Sequence, residues 1–344
     1  MGRREALRSA AAWLGLAVTA AFVYLAVRNV DWSTSWAALR SSDPWWLLPA
    51  LAALGFAVLL RAVRWQSLFA PETRPPLGAT TRALLLGYFF NNVLPARAGE
   101  AARVVALHRA AAMSRAELAA TVVVERVFDV LSLVALLFVA SPWLPHVSWA
   151  RSAAVLAGAL GAACAVVVAG VALWGERPFR FLLRPLAFLP FLAEERLGRT
   201  ASNLIHGLAG VRRPRLTLVA LAWTVLSWLG LALSTWFVLR AFDLGLSPLA
   251  AVLTVVAINL ALILPSSPAA VGVFEAATLV ALSAYGVSSS EALPVALVLH
   301  LLNLLPYLAA GAFVLRGVTR VERPQLATRS SGSPVATVRR PPTS

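Results

Sequence analysis

The sequence predicts an all-α, polytopic integral membrane protein, with six full transmembrane helices and two broken re-entrant helical hairpins forming an inverted repeat. Three observations predict it. The 344 residues are 60% hydrophobic and 13% charged, with a mean hydropathy of +0.78, whereas a soluble domain carries about twice that charge fraction. Apolar runs of about 17–25 residues, long enough to cross a bilayer, recur along the chain. Two of them break at Leu-Pro, as "NNVLPARAGEAARVVAL" (91–107) and "LILPSSPAAVGVFEAATLVAL" (262–282). After each break the chain reads Glu-Ala-Ala-x-x-Val-Ala-Leu, so that Glu100-Ala101-Ala102 is answered by Glu275-Ala276-Ala277.

The first apolar run, residues 10–27, follows Arg3, Arg4 and Arg8. Its length, and the lack of a small-x-small cleavage site near Arg28, make it an uncleaved transmembrane helix rather than a signal sequence. Further runs stand at 45–69, 77–95, 116–140, 150–174, 216–239, 248–264, 268–285 and 292–315. Hydropathy alone merges these into about eight segments.

Arginine sets the orientation. Every basic residue is Arg, and these cluster in the N-terminus, 61–82, 97–115, 175–215 and the tail after Leu315. Placing such clusters in the cytoplasm puts 28–44, 141–150 and 240–247 outside, and both chain ends inside the plasma membrane. With 70–82 and 97–115 both inside, 77–112 must dip in and return. Residues 248–285 do the same from the outer face, breaking around Pro265 and Pro268. Such broken helices are tolerated where protein or a water-filled cavity covers them, and they mark the binding sites of transporters. Residues 175–215 mix Phe with Arg and are expected to lie on the cytoplasmic leaflet. The transmembrane domain thus spans 1–316, and the Arg/Pro/Ser-rich residues 317–344 read as a disordered cytoplasmic tail.

Net charge is +15 with pI ≈ 11.6, but loop arginines following the positive-inside bias account for it, so nucleic acid is not an expected partner. Cys164 is the single cysteine, and the four His are scattered without ligand spacing. No metal site and no cofactor are expected.

Two charged constellations carry the chemistry. Arg97, Glu100 and Arg103 follow the first break, marked by Pro95 and Gly99 after Asn91 and Asn92. A helix restarting near Ala98 puts Glu100 and Arg103 at i,i+3, with free amides and Arg97 facing the break, a setting suited to a phosphate. In "VVVERVFDVLSLVALL", Glu125 and Asp129 share a face and Arg126 reaches Asp129 at i,i+3. Ionised groups at that depth cost about 2.5–3.5 kcal/mol each, so they must face the bundle interior and pair. Their partners are either one another, as a clamp, or Arg97 and Arg103, as a charged cavity wall. Glu275 stands among Gly272 and small residues; it is a proton-coupling or cation site, or a cap for the restarted helix. Asn92, with Asn91, Asn259, His300 and Asn303, is a candidate to line the same cavity, although a packing role suits His300 better. No nucleophile elbow, Gly-rich phosphate loop or Asp-x-Asp pair occurs. For a membrane transferase the nearest candidate acid is Asp31 or Glu275.

At "LLLGYFFNNVLPARAGEAARVVALHR", "TVVVERVFDVLSLVALL", "LPSSPAAVGVFEAATLVALSAYGV" and "LVLHLLNLLPYLAAGAF" the chain resembles the lysylphosphatidylglycerol synthase transmembrane-region family, flippase-like membrane proteins, over about 10–316. Carried over by motif, the family's positions are Asn92, Pro95, Arg97, Gly99 and Glu100, then Glu125, Arg126 and Asp129, then Pro268, Gly272 and Glu275. The third motif is usually Pro-Gly-Gly-like, whereas here Pro268 precedes Ala269-Ala270, which stiffens the break. With no aminoacyl-transfer domain expected after residue 316, the resemblance implies the flippase part without synthase activity.

The expected function is therefore a non-enzymatic flippase for an anionic lipid, phospho- or polyprenyl-phosphate-linked. Its head group would bind among Asn92, Arg97, Glu100, Arg103, Glu125, Arg126, Asp129 and Glu275, with Pro95, Gly99, Pro265, Pro268 and Gly272 as breaks. The alternatives are a membrane-embedded transferase and a helper of a separate lipid-modifying enzyme; self-association into a homo-oligomer is left open.

Overall fold

The computed structural model describes residues 19–94, 98–111, 113–144, 213–262 and 268–330, with Ala17 and scattered helical positions between 152 and 170. The interfacial segment expected at 175–212, together with Pro95, Arg97, Pro265 and the tail 331–344, lies outside them. Among the described residues all regular structure is helical.

Helix α1 covers residues 19–27. Asp31 caps α2 (Trp32–Ser41), and Asp43 caps the 3-10 turn Pro44–Trp46 that leads into α3 (Leu47–Ser67). Helices α4 (Leu77–Val93) and α5 (Gly99–Ala110) follow, then α6 (Arg115–Ala140), whose Ser114 hydroxyl accepts from the Glu117 amide at 3.1 Å. Proline at the first turn, where no amide donor is needed, opens both α7 (Pro214–Ala241) and α8 (Pro248–Ala261). After the second break come α9 (Val273–Ser283) and α10 (Ser289–Ser330).

Three of these helices are long and apolar enough to cross a membrane: Pro44–Ser67, Arg215–Ala241 and Ser289–Gly317. Two shorter apolar helices, Pro248–Ala261 and Pro268–Ser283, flank the second break. Helix α6, with 26 residues, extends about 39 Å at the helical rise, long enough to span. Glu125, Arg126 and Asp129 within its apolar stretch set it apart from the apolar set. Helix α10 continues to Ser330, past the boundary at 316 where a disordered tail is expected.

The packing explains the two breaks. Helices α3 and α7 run against each other along their length, tied by the Ser234 hydroxyl donating to the Ala50 carbonyl at 2.7 Å. Helices α4 and α5 fold back on each other as a hairpin. The turn is possible because Gly99 lies against the Gly87 carbonyl and Asn91, with no room for a Cβ. Helices α8 and α9 make the second broken pair. There Ala269 (φ 58°), Ala270 (φ 57°) and Gly272 (φ 84°) turn the chain through the left-handed region. Only glycine enters that region freely, and each alanine costs about 1–2 kcal/mol there. These are the two alanines that stand where the related motif has glycines. Around the breaks, one buried cluster gathers Trp65, Leu84, Leu107 and Leu118, and another gathers Leu282, Leu293 and Leu299.

Candidate functional site

The apolar surroundings of α6 leave its ionised side chains one solution, which is to find partners on neighbouring helices. Glu125, 1% exposed, is the centre. Its carboxylate receives Arg64 of α3 at 2.7 Å, Arg103 of α5 at 2.9 and 3.1 Å, and Arg126 at 3.1 Å. Asp129, one turn on, pairs closely with Arg64 and with Arg126 Nη2 at 3.5 Å. Arg126 also reaches Glu100 at 3.5 Å. The Arg103 guanidinium stacks over Trp65, 4.9 Å from its centroid. Glu100 and Arg103, three apart on α5, thus turn to different partners.

Beside this network lies a cavity of about 500 Å³. It reaches both breaks: Asn91, Asn92 and Leu94 line it from the first, Leu262, Ala269 and Ala270 from the second. Three guanidinium groups, Arg61, Arg64 and Arg126, share its wall with two carboxylates, Glu100 and Asp129. Arg103 and Glu125 stand behind the wall and offset each other. The described wall therefore carries one positive charge more than its carboxylates offset. Arg61 accounts for that excess. It donates to the Tyr88 hydroxyl at 3.2 Å and lies on Trp228, 4.8 Å from the ring centroid. Among the described residues, no carboxylate comes within ion-pair distance of it.

Across the cavity, His300 of α10 stacks on Phe274 at 4.5 Å. Its Nδ1 meets Glu275 Oε1 at 2.5 Å, and its Nε2 meets the Ala269 carbonyl at 2.9 Å. The other carboxylate oxygen of Glu275 accepts from the Gly272 amide at 2.7 Å. Glu275 sits at the third position of α9, where a carboxylate reaches back to cap the helix start.

A model of the lysylphosphatidylglycerol synthase TM region matches residues 12–311. The chain belongs to this family. The family is the membrane region of lysylphosphatidylglycerol-synthase-like proteins, which agrees with a lipid-related function in the membrane. No curated protein and no solved structure matches the chain.

Within this family member, the residues singled out from sequence divide by position. Asn92, Glu100, Arg126 and Asp129 line the cavity. Arg103 and Glu125 are buried behind it, and Glu275 meets it through His300. Pro268, Gly99 and Gly272 stand at the breaks, whereas Arg97, Pro95 and Pro265 lie outside the described residues. The amide of Gly99 is taken by Asn91 Oδ1 at 2.9 Å, so this amide of the restarted helix is not free for a ligand. Asn91, Asn259, His300 and Asn303 all line the cavity. His300 has partners on both nitrogens, but these include a carboxylate, which a packing role does not require.

Arg61 and Arg64 are the residues that sequence reasoning missed. Counted with Arg74 and Arg82 as cytoplasmic markers, they belong instead to the last two turns of α3, with Arg64 2% exposed. A signal was present, since both fall inside the apolar run 45–69 rather than after it.

Asp31 is occupied as a helix cap. It accepts from the Ser33 and Thr34 amides at 2.8 and 3.2 Å and from the Ser33 hydroxyl at 2.6 Å. That hydroxyl, with the two amides, holds its carboxyl below the usual carboxylate range.

Proposed function

We propose that the chain is a lipid flippase, moving an anionic lipid, phospho- or polyprenyl-phosphate-linked, across the plasma membrane. The observation that carries this reading is the excess positive charge of the cavity, centred on Arg61. A guanidinium resting on an indole and a phenol, rather than on a carboxylate, keeps its donors for an incoming anion, and its planar fork matches two phosphate oxygens. Arg126 and Arg64 flank it with carboxylates that the phosphate competes against. Asn92 and Glu100 contact the head group, while Arg103 and Glu125 hold the wall in place and Glu275 acts through His300. The tails stay in lipid.

The two broken pairs support six crossings with two re-entrant hairpins entering from opposite faces, both ends of the chain in the cytoplasm, and a domain extending to residue 316. Breaks from both halves meeting at one cavity is the arrangement expected of a transporter site. The reading is of a transporter rather than an enzyme; of the two acids a transferase would draw on, Asp31 caps α2 and Glu275 caps α9. Membrane lipid is its principal partner.

The test is reconstitution of the full chain with fluorescent phosphatidylglycerol, comparing wild type with Arg61→Gln. Hydrogen bonds to a charged group contribute about 1.5–3 kcal/mol, so the variant should translocate the probe about 10- to 100-fold more slowly. Equal rates in the two proteins would remove Arg61 from the function. A lipid copurifying with the wild type in native mass spectrometry, and lost from the variant, would identify the substrate.

A further inference from the structure

The Glu275–His300 pair has a proton inventory fixed by its neighbours. Nε2 faces a backbone carbonyl, which only accepts, so Nε2 carries a proton. Nδ1 faces a carboxylate oxygen at 2.5 Å. Two lone pairs cannot meet at that distance, so a second proton lies between them, on either atom. Whichever atom holds it, the pair is neutral overall. Without that proton the pair carries one negative charge and loses its hydrogen bond between α9 and α10.

One negative charge is also what offsets the excess positive charge of the cavity. With the proton in place, the wall stays cationic and suits an anion. With the proton gone, the described charges cancel and the anion loses its electrostatic advantage. The groups facing the same space are Arg61 and Arg64 from α3, Tyr88 from α4, Glu100 from α5, Arg126 and Asp129 from α6, and Tyr307 of α10 itself. Helix α8 brings no ionisable residue, and Tyr24 is the ionisable side chain of α1, which packs on Gly272 through Thr19 and Val23. Every carboxylate on the wall already has an arginine. The pair is the described site where one proton is shared between two side chains.

We propose that Glu275 and His300 form a single-proton binding site, and that proton and lipid anion occupy the cavity together. This makes the proton the coupling ion of the transport cycle. Release of the proton from Nδ1 to cavity water leaves Glu275 as a carboxylate and His300 as a neutral imidazole. Their contact then opens at the second break, where Ala269 and Ala270 already hold left-handed backbone. By linkage, anion binding strengthens proton binding by the same factor as the reverse.

The inference rests on the cavity being the anion's site, and two measurements separate its failure from failure of that reading. The first needs no transport. With only four histidines, ¹⁵N-histidine NMR of the full chain in detergent gives a His300 signal assignable by its loss in His300→Gln. The expected result is a proton on or shared by both ring nitrogens at neutral pH, with short-chain phosphatidylglycerol shifting the loss of that proton to higher pH. A neutral imidazole whose Nδ1 shows no hydrogen bond at neutral pH, or a titration indifferent to the lipid, overturns the proposal. The second is translocation of fluorescent phosphatidylglycerol in proteoliposomes, with and without an imposed pH gradient. Wild type should respond to the gradient, and the ratio of the two rates should fall to one in Glu275→Gln. Affinity for the lipid should change by no more than tenfold per pH unit, the limit for one proton. Wild-type translocation indifferent to the gradient overturns the coupling while leaving the flippase reading intact. Absence of any translocation overturns the flippase reading, with the NMR result still deciding the proton site.

Discussion

The charge network behind the cavity makes a prediction that ordinary pair counting does not. Glu125 and Asp129 are both buried carboxylates on α6, both bound to Arg64 and Arg126, and removing either charge looks equivalent. The difference is Arg103. Among the described residues Glu125 is its one carboxylate, and its Nε and Nη2 have no hydrogen-bond partner there. Glu125→Gln therefore strands a guanidinium that is 3% exposed, leaving it the Trp65 face alone. Breaking a buried pair in this way costs about 3–5 kcal/mol. Asp129→Asn strands nothing, because Arg64 and Arg126 keep Glu125, and Arg126 also keeps Glu100. Its cost should stay near that of one charged hydrogen bond, about 1.5–3 kcal/mol.

Thermal unfolding of the full chain in detergent separates the two. At about 2 °C per kcal/mol for a long chain, Glu125→Gln should lower the midpoint by about 6–10 °C and Asp129→Asn by about 3–6 °C. The decisive protein is the double variant Glu125→Gln with Arg103→Met, which removes the stranded charge along with its partner. A buried pair replaced by apolar volume is often neutral or stabilising, so the double variant should recover part of the loss. If Asp129→Asn falls as far as Glu125→Gln, or if adding Arg103→Met gives no recovery, the stranded-charge reasoning is wrong.

Three further outcomes follow from the geometry. Gly99→Ala would put a Cβ against the Gly87 carbonyl and 2.6 Å from Asn91 Oδ1; the obstruction is partly backbone, so the cost should reach about 3 kcal/mol or more, seen as loss of monodisperse protein on size exclusion. Ala269→Gly and Ala270→Gly each relieve about 1–2 kcal/mol of left-handed strain against about 0.4–1 kcal/mol of added unfolded-chain entropy, so each should raise the unfolding midpoint by up to about 3 °C; a fall would mean the strain is not stored there. Because the carboxyl of Asp31 titrates lower in the folded chain, its contribution to α2 is present above its unfolded value and is lost as pH falls through the folded value. Amide exchange at Ser33 and Thr34 should accelerate on that acid side, and Asp31→Asn should abolish the pH dependence while lipid translocation continues.

The parts of this site that were legible in the sequence are those where a residue contradicts its surroundings. Glu125, Arg126 and Asp129 stand in an apolar run, so burial and pairing follow from cost alone, and Arg103 could be named as a partner. Arg64 could not. An arginine near the end of an apolar run reads the same whether the helix stops before it or carries it inward, and only the packing of α3 on α6 decides. Arg61 is hidden for the same reason, and its lack of a carboxylate is a property of spatial neighbours that no spacing records.

The echo between the two Leu-Pro motifs shows where sequence similarity stops carrying chemistry. Glu100 and Glu275 occupy the same place in the repeated Glu-Ala-Ala, yet α5 begins one residue before Glu100 and α9 begins two before Glu275. At the third helical position a carboxylate reaches back to the cap amide, and Glu275 does so at Gly272 while turning its other oxygen to His300. At the second position Glu100 does not make that reach, and the first amide of α5, that of Gly99, is taken by Asn91. Glu100 is left half-exposed at the cavity wall, held by Arg126. A shift of one residue in the helix start therefore gives the cavity two unlike poles, arginine-rich at the first break and proton-bearing at the second. Under the proposed function, identical poles would bind an anion at both ends equally and give it no reason to move; unlike poles, one of which changes charge with a proton in the proposed cycle, would give the anion a direction.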